Sequence, residues 1–214
     1  GKTTTLTSIL WLTNFDCEMS VLGQDPRSGR HKIMERVCFI ADVGVLPRWL
    51  RVSDALDYIQ GIHPRFNRIR AEVMLAETKI SKRSKVKELS KGMVTQLHLA
   101  LVMAIEVDLL VLDEPTLGLD ILFRKAFYEH LLNDYFDNET SIIISTHQVE
   151  EIESLLTHLL FINEGRILLD CPMDEIGEIY SEVLVPPSNQ QQANALSPIH
   201  SRDILGQKAM IFEN

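Results

Sequence analysis

The chain has 214 residues, a formal net charge of −9 at pH 7, 45% hydrophobic residues and 24% charged residues. These values are typical of a folded globular protein and exclude an intrinsically disordered chain. No run approaches the roughly 20 consecutive apolar residues of a membrane-spanning helix, and the acidic total argues against nucleic acid as the main ligand. Three widely spaced cysteines, Cys17, Cys38 and Cys171, indicate neither a disulfide framework nor a zinc site.

The predicted elements alternate between helices and strands. In chain order they are a helix within 1–13, a strand at 37–40, helices over 51–84 (with a turn at 63–64) and 93–105, a strand at 109–112, a helix over 122–135, a strand at 141–144, a helix over 149–156, and strands at 159–162 and 166–169. This alternation predicts an α/β fold with a parallel sheet. From residue 186 the chain is rich in Pro, Ser, Asn and Gln, which is typical of a linker.

Charge is unevenly distributed along these elements. Residues 51–91 carry ten Lys or Arg against five Asp or Glu, whereas residues 106–182 carry three against eighteen. The shift predicts two regions with different surfaces, although solvated helix faces explain most such runs.

The segment Gly1-Lys2-Thr3-Thr4 matches the end of the phosphate-binding loop pattern G-x-x-x-x-G-K-[ST]. In such a loop, backbone N–H groups cradle phosphates, the Lys reaches the outer phosphates and the hydroxyl after it holds Mg²⁺. The loop leads into a helix whose N-terminus favours anions. A lone G-K-T is a weak pattern, and the helical spacing that follows it supports the interpretation.

Two predicted strands end in residues suited to catalysis. Asp113 and Glu114 follow the strand at 109–112, at the sheet edge where α/β proteins bind ligands. Asp113 would hold Mg²⁺ and Glu114 would act as general base, while a solvated acidic turn is the alternative. His147 follows the strand at 141–144 and could contact a phosphate and the attacking water, although a lone histidine is usually structural.

The segment Leu89-Ser90-Lys91-Gly92-Met93 precedes the helix over 93–105. Ser90 is a good N-cap, and Gly92 permits close approach of the backbone to a ligand. On spacing alone, the simpler interpretation is a capped helix that basic residues precede.

Taken in order, G-K-T-T, L-S-K-G-M, L-V-L-D-E-P, L-G-L-D and S-T-H resemble the motifs of the ATP-binding subunits of ABC (ATP-binding cassette) transporters. Leu89–Met93 is similar to the family's L-S-G-G-Q signature, Leu117–Asp120 to its D-loop and His147 to its switch histidine. The resemblance covers about residues 1–170. Within this family, the resemblance points more specifically to the ATPases that pair with a separate ABC-2-type permease, which are usually exporters.

The resemblance implies a P-loop NTPase fold with a central, mostly parallel sheet and a helical subdomain, at about 51–105, that carries the signature. It implies an ATP-binding domain over 1–182, then a polar linker and C-terminal extension over 183–214. Its implied cofactors are ATP and Mg²⁺. Its implied partners are a membrane permease at the cytoplasmic face of the plasma (inner) membrane and a second cassette, identical or different, with no nucleic acid.

The family pattern also implies a role for each matching residue. Catalysis would fall to Glu114 and His147, nucleotide binding to Gly1, Lys2, Thr3, Thr4, Asp42, Ser90, Gly92 and Asp120, and Mg²⁺ binding to Thr3, Asp113 and Asp42. Ser90 and Gly92 would serve the nucleotide of the opposite cassette.

Three features depart from the family pattern. Asp42 stands where a glutamine is expected and cannot donate an amide N–H. Lys91 replaces the first signature glycine and would either contact the partner's phosphates or point into solvent. The family's first strands precede the phosphate loop, so we expect an N-terminally truncated fragment that lacks on the order of 30–45 residues and is inactive alone.

The alternative is a non-transport ABC ATPase that acts on ribosomes or DNA, which the basic stretch at 51–91 suggests. Ribosome-associated cassettes usually come in tandem, and DNA-maintenance types separate the motifs by long coiled coils. Only 88 positions separate Lys2 from Ser90, which leaves no room for a coiled coil.

Overall fold

The computed structural model describes residues 1–40, 46–135 and 140–214. These residues divide into two compact units, Gly1–Glu153 and Ser154–Asn214. The division falls earlier in the chain than the expected domain boundary after residue 182. No helix within the described ranges has the length and apolar character needed to cross a membrane.

Helices separate the strands of the first unit, as the sequence predicts. They are α1 (Lys2–Ile9), α2 (Pro26–Met34), β1 (Val37–Ile40), α3 (Val52–Ile62), α4 (Arg68–Ala76), α5 (Lys91–Met103), β2 (Leu109–Asp113), α6 (Ile121–Tyr135) and β3 (Ser141–Ser145). The helix predicted over 149–156 is instead a pair of 3-10 turns, Val149–Glu151 and Glu153–Leu155. Glu150 and Glu153 would repel each other on one face of a longer helix.

The strands of the first unit form a parallel sheet in the order β1-β2-β3. Every residue of the central strand β2 is buried, as a continuous apolar run predicts. Asp113, the last residue of β2, is in register with Ser145, the last residue of β3. The sheet therefore places the segments that follow β2 and β3 side by side, and the predicted α/β class is confirmed.

Apolar clusters among the described residues support the first unit. One joins α3, α4 and α5, over the range where a helical subdomain is expected, and it includes Val52, Leu56, Leu75, Leu97 and Leu101. Another packs α1 and α2 against β1 and β2, and it includes Leu6, Leu10, Ile33, Val37 and Val111. This second cluster fixes α1, and with it the glycine-lysine segment, against the strand that ends in Asp113.

The second unit is built from antiparallel strands. Its elements are β4 (His158–Asn163), β5 (Arg166–Pro172), α7 (Ile176–Ile179), β6 (Tyr180–Val185), α8 (Gln190–Ala195), β7 (His200–Ile204) and β8 (Gln207–Glu213). The strand expected to extend the parallel sheet, at 159–162, instead pairs with β5 in a hairpin. Its turn residues Glu164 and Gly165 both have positive φ, 48° and 78°, which favours a tight antiparallel connection.

Residues 183–214, expected as a polar linker and extension, contain regular structure. Strands β6, β8 and β7 form an antiparallel sheet in that spatial order. Leu205 and Gly206, with φ of 47° and 81°, form the tight turn between β7 and β8.

Candidate active site

The carboxyl ends of β2 and β3 bring Glu114 and His147 into direct contact. Nδ1 of His147 lies 2.8 Å from Oε2 of Glu114. The backbone N–H of Glu114 donates to the carbonyl oxygen of Ser145 at 2.9 Å. The two strand ends that the sequence singled out therefore form one polar site.

Lys2 reaches the same carboxylate from the start of α1. Its Nζ lies 3.5 Å from Oε1 of Glu114 and donates to the carbonyl oxygen of Thr146 at 3.1 Å. The side chain of Lys2 is 43% exposed and that of Glu114 is 20% exposed. The contact therefore links the helix start to both strand ends while leaving the ammonium accessible to a ligand.

The residues around Lys2 lie at the N-terminus of α1. Gly1 is the N-cap residue, and its carbonyl oxygen accepts from the N–H of Thr5 at 3.1 Å. Thr3 and Thr4 are exposed in the first turn. The first N–H groups of a helix have no partner within the helix, so this end can bind an anion.

Asp113 is a buried carboxylate, 2% exposed, whose Oδ1 accepts a hydrogen bond from the hydroxyl of Ser145. The next residue, Glu114, has φ of +47°, a left-handed conformation that costs an ordinary L-residue about 1–2 kcal/mol. Its carbonyl oxygen accepts from the N–H of Leu117 at 3.1 Å, which closes the turn. Strained backbone that surrounding contacts hold in place is common at functional sites.

A buried pair of hydroxyls connects this turn to α6. Oγ1 of Thr116 lies 3.2 Å from the phenolic oxygen of Tyr128 on α6. Burial raises the pKa of Tyr128, so its phenol stays neutral at physiological pH.

The segment Leu117–Asp120 leads into α6. Gly118 has φ of +83°, and Oδ1 of Asp120 accepts from the N–H of Phe123 at 3.0 Å, which caps α6. Asp120 is thus placed by the structure as a helix cap. No described hydrogen bond joins it to Lys2 or Glu114.

Arg124 is a residue of this site that sequence reasoning missed. Its Nε donates to the carbonyl oxygen of Leu119 at 2.9 Å, and its Nη1 donates to Gln148 at 2.6 Å and to Glu151 at 2.8 Å. Arg124 therefore ties the segment before α6 to the segment that follows His147. No local sequence signal points to it, because its side-chain partners lie 24 and 27 residues further along the chain.

Ser90 and Gly92 lie at the start of α5. The hydroxyl of Ser90 accepts from the N–H of Met93 at 3.2 Å, and a Cβ added at Gly92 would meet nothing within 4 Å. Among the described hydrogen bonds of Lys2 and His147, none reaches these two residues. The structure of one chain thus leaves the start of α5 open to an external ligand or partner.

Lys91, expected either at a phosphate or in solvent, lies beside Gly118. A Cβ added at Gly118 would be 3.7 Å from Cε of Lys91 and 3.9 Å from its Nζ. Lys91 thus lies next to the segment before α6 within its own chain.

The metal ligands predicted from sequence are only partly described. Asp42 lies outside the described residues, and within those residues no group of three or more His, Cys, Asp or Glu side chains forms a metal site. Mg²⁺ in nucleotide sites commonly takes one or two carboxylates and completes its shell with phosphate oxygens and water. The buried carboxylate of Asp113 and the hydroxyl of Thr3 fit such an incomplete set of protein donors.

Comparisons with known proteins identify a domain family and relatives that this chain resembles. The family model described as "AAA domain, putative AbiEii toxin, Type IV TA system" matches residues 12–153. A curated relative, "ABC transporter ATP-binding protein YtrB" of Bacillus subtilis, is 30% identical over 60% of this chain and 44% of its own length. Another, "Nod factor export ATP-binding protein I" of Burkholderia orbicola, is 34% identical over 78% of this chain and 56% of its own length.

A solved structure entitled "Structure of ATP binding subunit of ABC transporter" shares the fold. It superimposes with a TM-score of 0.74 at 24% identity and covers 83% of this chain and 76% of its own. The chain spans about half the length of the curated relatives named above.

Proposed function

We propose that this chain hydrolyses ATP to drive transport through a separate membrane permease. The chain belongs to the AAA-domain family and to the ATP-binding proteins of ABC transporters. The observation that carries the proposal is the meeting of Lys2, Glu114 and His147 at one edge of the sheet. Export is the favoured direction, because one relative is named for Nod factor export.

Each residue of the site has a distinct task in this proposal. The N–H groups at Gly1 to Thr4 bind phosphate oxygens, and Lys2 exchanges its contact with Glu114 for the outer phosphates. Glu114, released from Lys2, accepts a proton from the attacking water. His147 keeps its contact with the other oxygen of Glu114, so the carboxylate does not rotate away from the water.

Mg²⁺ fits the same site. Asp113 and Thr3 would hold it, and Asp42 is proposed as a further ligand of nucleotide or metal. When bound, Mg²⁺ neutralises charge on the phosphates. The protein's own part is to supply a carboxylate that burial and Ser145 keep in one place.

The proposed partners are an ABC-2-type permease and a second cassette, identical or different. Ser90 and Gly92 would face the nucleotide of that second cassette, and the open space at Gly92 suits this role. Asp120 is proposed as a further nucleotide-binding residue. The proposed position is peripheral, at the cytoplasmic face of the inner membrane. Trp49, 72% exposed, is a candidate for permease contact.

We assign ATP binding to residues 1–182 and the extension to 183–214.

The test is ATP turnover by the full-length protein and by its Glu114→Gln variant. Gln keeps the size of the side chain but cannot accept a proton, so the variant should bind ATP, lose turnover and accumulate an ATP-bound dimer on gel filtration. Glu129→Gln, at an exposed position on α6, is the matched control and should behave as wild type. A variant that stays monomeric in Mg-ATP with turnover intact would contradict the role of Glu114.

The alternative function, an ABC ATPase that acts on ribosomes or DNA, rests on the basic region at 51–91. Part of that charge is neutralised internally, since Arg68 pairs with Asp57 and Glu72, and Lys82 also pairs with Glu72. Co-purification with a membrane permease or with ribosomes or DNA separates the two functions.

A further inference from the structure

Ser145 contacts both acidic residues of the site. Its hydroxyl donates to Oδ1 of Asp113, and its carbonyl oxygen accepts from the N–H of Glu114 at 2.9 Å. Both contacts follow from the parallel register, because Ser145 is the direct partner of Asp113 across β2 and β3. A single residue of the neighbouring strand therefore touches both consecutive acidic residues.

Burial makes the first of these contacts consequential. Asp113 is 2% exposed and Ser145 is 7% exposed, so bulk water does not hydrate the bond between them. A carboxylate in such surroundings needs a hydrogen-bond donor, and one fixed donor to Oδ1 limits rotation about the Cβ–Cγ bond. Oδ2 is thereby held in a defined direction for another ligand.

The second contact acts on the backbone. Glu114 has the left-handed φ described above, and such a conformation persists only where neighbouring groups hold it. The carbonyl of Ser145 holds its N–H directly. The preceding residues of β3, Ile142 to Ile144, are apolar, so the polar residue stands at the position that faces Asp113.

We propose that Ser145 is a positioning residue that orients Asp113 for divalent-cation binding and secures the backbone of Glu114. The inference rests on the proposed function, because it assigns the cation to Asp113. Removing a residue that hydrogen-bonds to a metal ligand and orients it typically lowers metal affinity 10- to 100-fold. Ser145 should therefore control cation affinity while contributing little to the binding of the nucleotide itself.

The experiment measures Mn²⁺ as a substitute for Mg²⁺, by electron paramagnetic resonance of free Mn²⁺ at fixed ATP, with the full-length protein. Ser145→Ala should weaken Mn²⁺ binding about 10-fold. Binding of a fluorescent ATP analogue in metal-free buffer should stay at the wild-type value. Ser145→Thr keeps the hydroxyl and should restore most of the Mn²⁺ affinity. Ser141→Ala, at the exposed start of the same strand, is the matched control.

The outcomes separate a positioning role from a structural one. Equal loss of Mn²⁺ affinity and of metal-free nucleotide binding, or failure of Ser145→Thr to restore affinity, would overturn the proposal. If Ser145→Ala does not fold, Ser145→Cys keeps the size with a weaker donor and should show the same selective loss.

The proposed function can fail on its own. A wild-type protein that binds Mn²⁺ and ATP without hydrolysis would contradict the proposed activity and leave the role of Ser145 intact. A wild-type protein that binds no Mn²⁺ in the presence of ATP would overturn both.

Discussion

His147 and Lys2 contact opposite oxygens of one carboxylate, with Nδ1 of His147 at 2.8 Å from Oε2 of Glu114 and Nζ of Lys2 at 3.5 Å from Oε1. The lysine contact is the longer of the two. A ligand phosphate would compete for Lys2 and leave the histidine contact in place. We therefore propose that His147 holds Glu114 in place after nucleotide binds.

Replacement of His147 by Ala should lower kcat by about 10²-fold, the lower end of what a positioned acid–base group contributes. ATP affinity should change much less, because Lys2 and the start of α1 remain. Steady-state turnover and equilibrium binding of a fluorescent ATP analogue measure the two effects. His31→Ala, at an exposed position on α2, is the control, and turnover of His147→Ala within twofold of wild type would contradict the assigned task.

Replacement of Arg124 should lower both turnover and stability. Arg124→Ala removes hydrogen bonds to Leu119, Gln148 and Glu151, so the segments that carry Asp120 and His147 lose their connection. We expect kcat to fall about 10-fold and the free energy of unfolding to fall by about 1–3 kcal/mol. Arg124→Lys should rescue little, because an ammonium lacks the planar fork that reaches these acceptors.

The exposed neighbour Lys125 provides the control for this prediction. Lys125→Ala should leave both turnover and denaturant midpoint unchanged. Wild-type kcat in Arg124→Ala would show that the two segments act independently.

Asp108 predicts a loss of stability in acid. It accepts from Nε of Arg36 at 2.6 Å and from Nη1 of Arg65 at 2.9 Å. Burial favours the neutral acid, but the hydrogen bonds from the two guanidinium groups outweigh it and lower the pKa of Asp108 below its usual 3.8. The unfolded chain therefore binds more protons near pH 4 and below, so this contribution is full above that pH and is lost as the pH falls through the folded pKa.

Asp108→Asn should accordingly cost about 1 kcal/mol at pH 7, since the pair is partly exposed, and less at pH 3. Urea unfolding of both proteins at the two pH values measures the difference. An equal difference at both values would contradict the assigned protonation.

The cysteines should differ in reactivity. Cys17 is exposed and Cys171 is buried, and burial raises the pKa of Cys38 to about 11. Because the thiolate is the reactive form, a disulfide reagent at pH 8 should modify Cys17 first. The fast phase should disappear in Cys17→Ser, while all three thiols react in guanidinium chloride. A fast phase that survives in Cys17→Ser would show that Cys38 or Cys171 is accessible.

Sequence reasoning found the parts of this site that depend on local sequence patterns. The apolar run that ends in Asp113 predicts a central strand, and parallel strands align their carboxyl ends, so Glu114 and His147 are expected to meet. The pairing of Asp113 with Ser145 depends on sheet register, which the residues of β3 alone do not specify. The contacts of Arg124 with Gln148 and Glu151 join segments 24 and 27 residues apart and leave no local trace.

The second unit illustrates the same limit. The turn at Glu164 and Gly165 is visible in the sequence, but the choice between a hairpin and a place in the parallel sheet is not a local property of residues 159–162. The assigned functions of the individual site residues stay predictions until the variants above are measured.

The backbone conformation of Glu114 lowers stability, whereas its side chain is the proposed general base. Glycine adopts a φ of +47° freely, so Glu114→Gly would relieve about 1 kcal/mol of strain while deleting the carboxylate. A library screened only for heat resistance should enrich glycine at this position, and such clones should lack the turnover that we propose for this site.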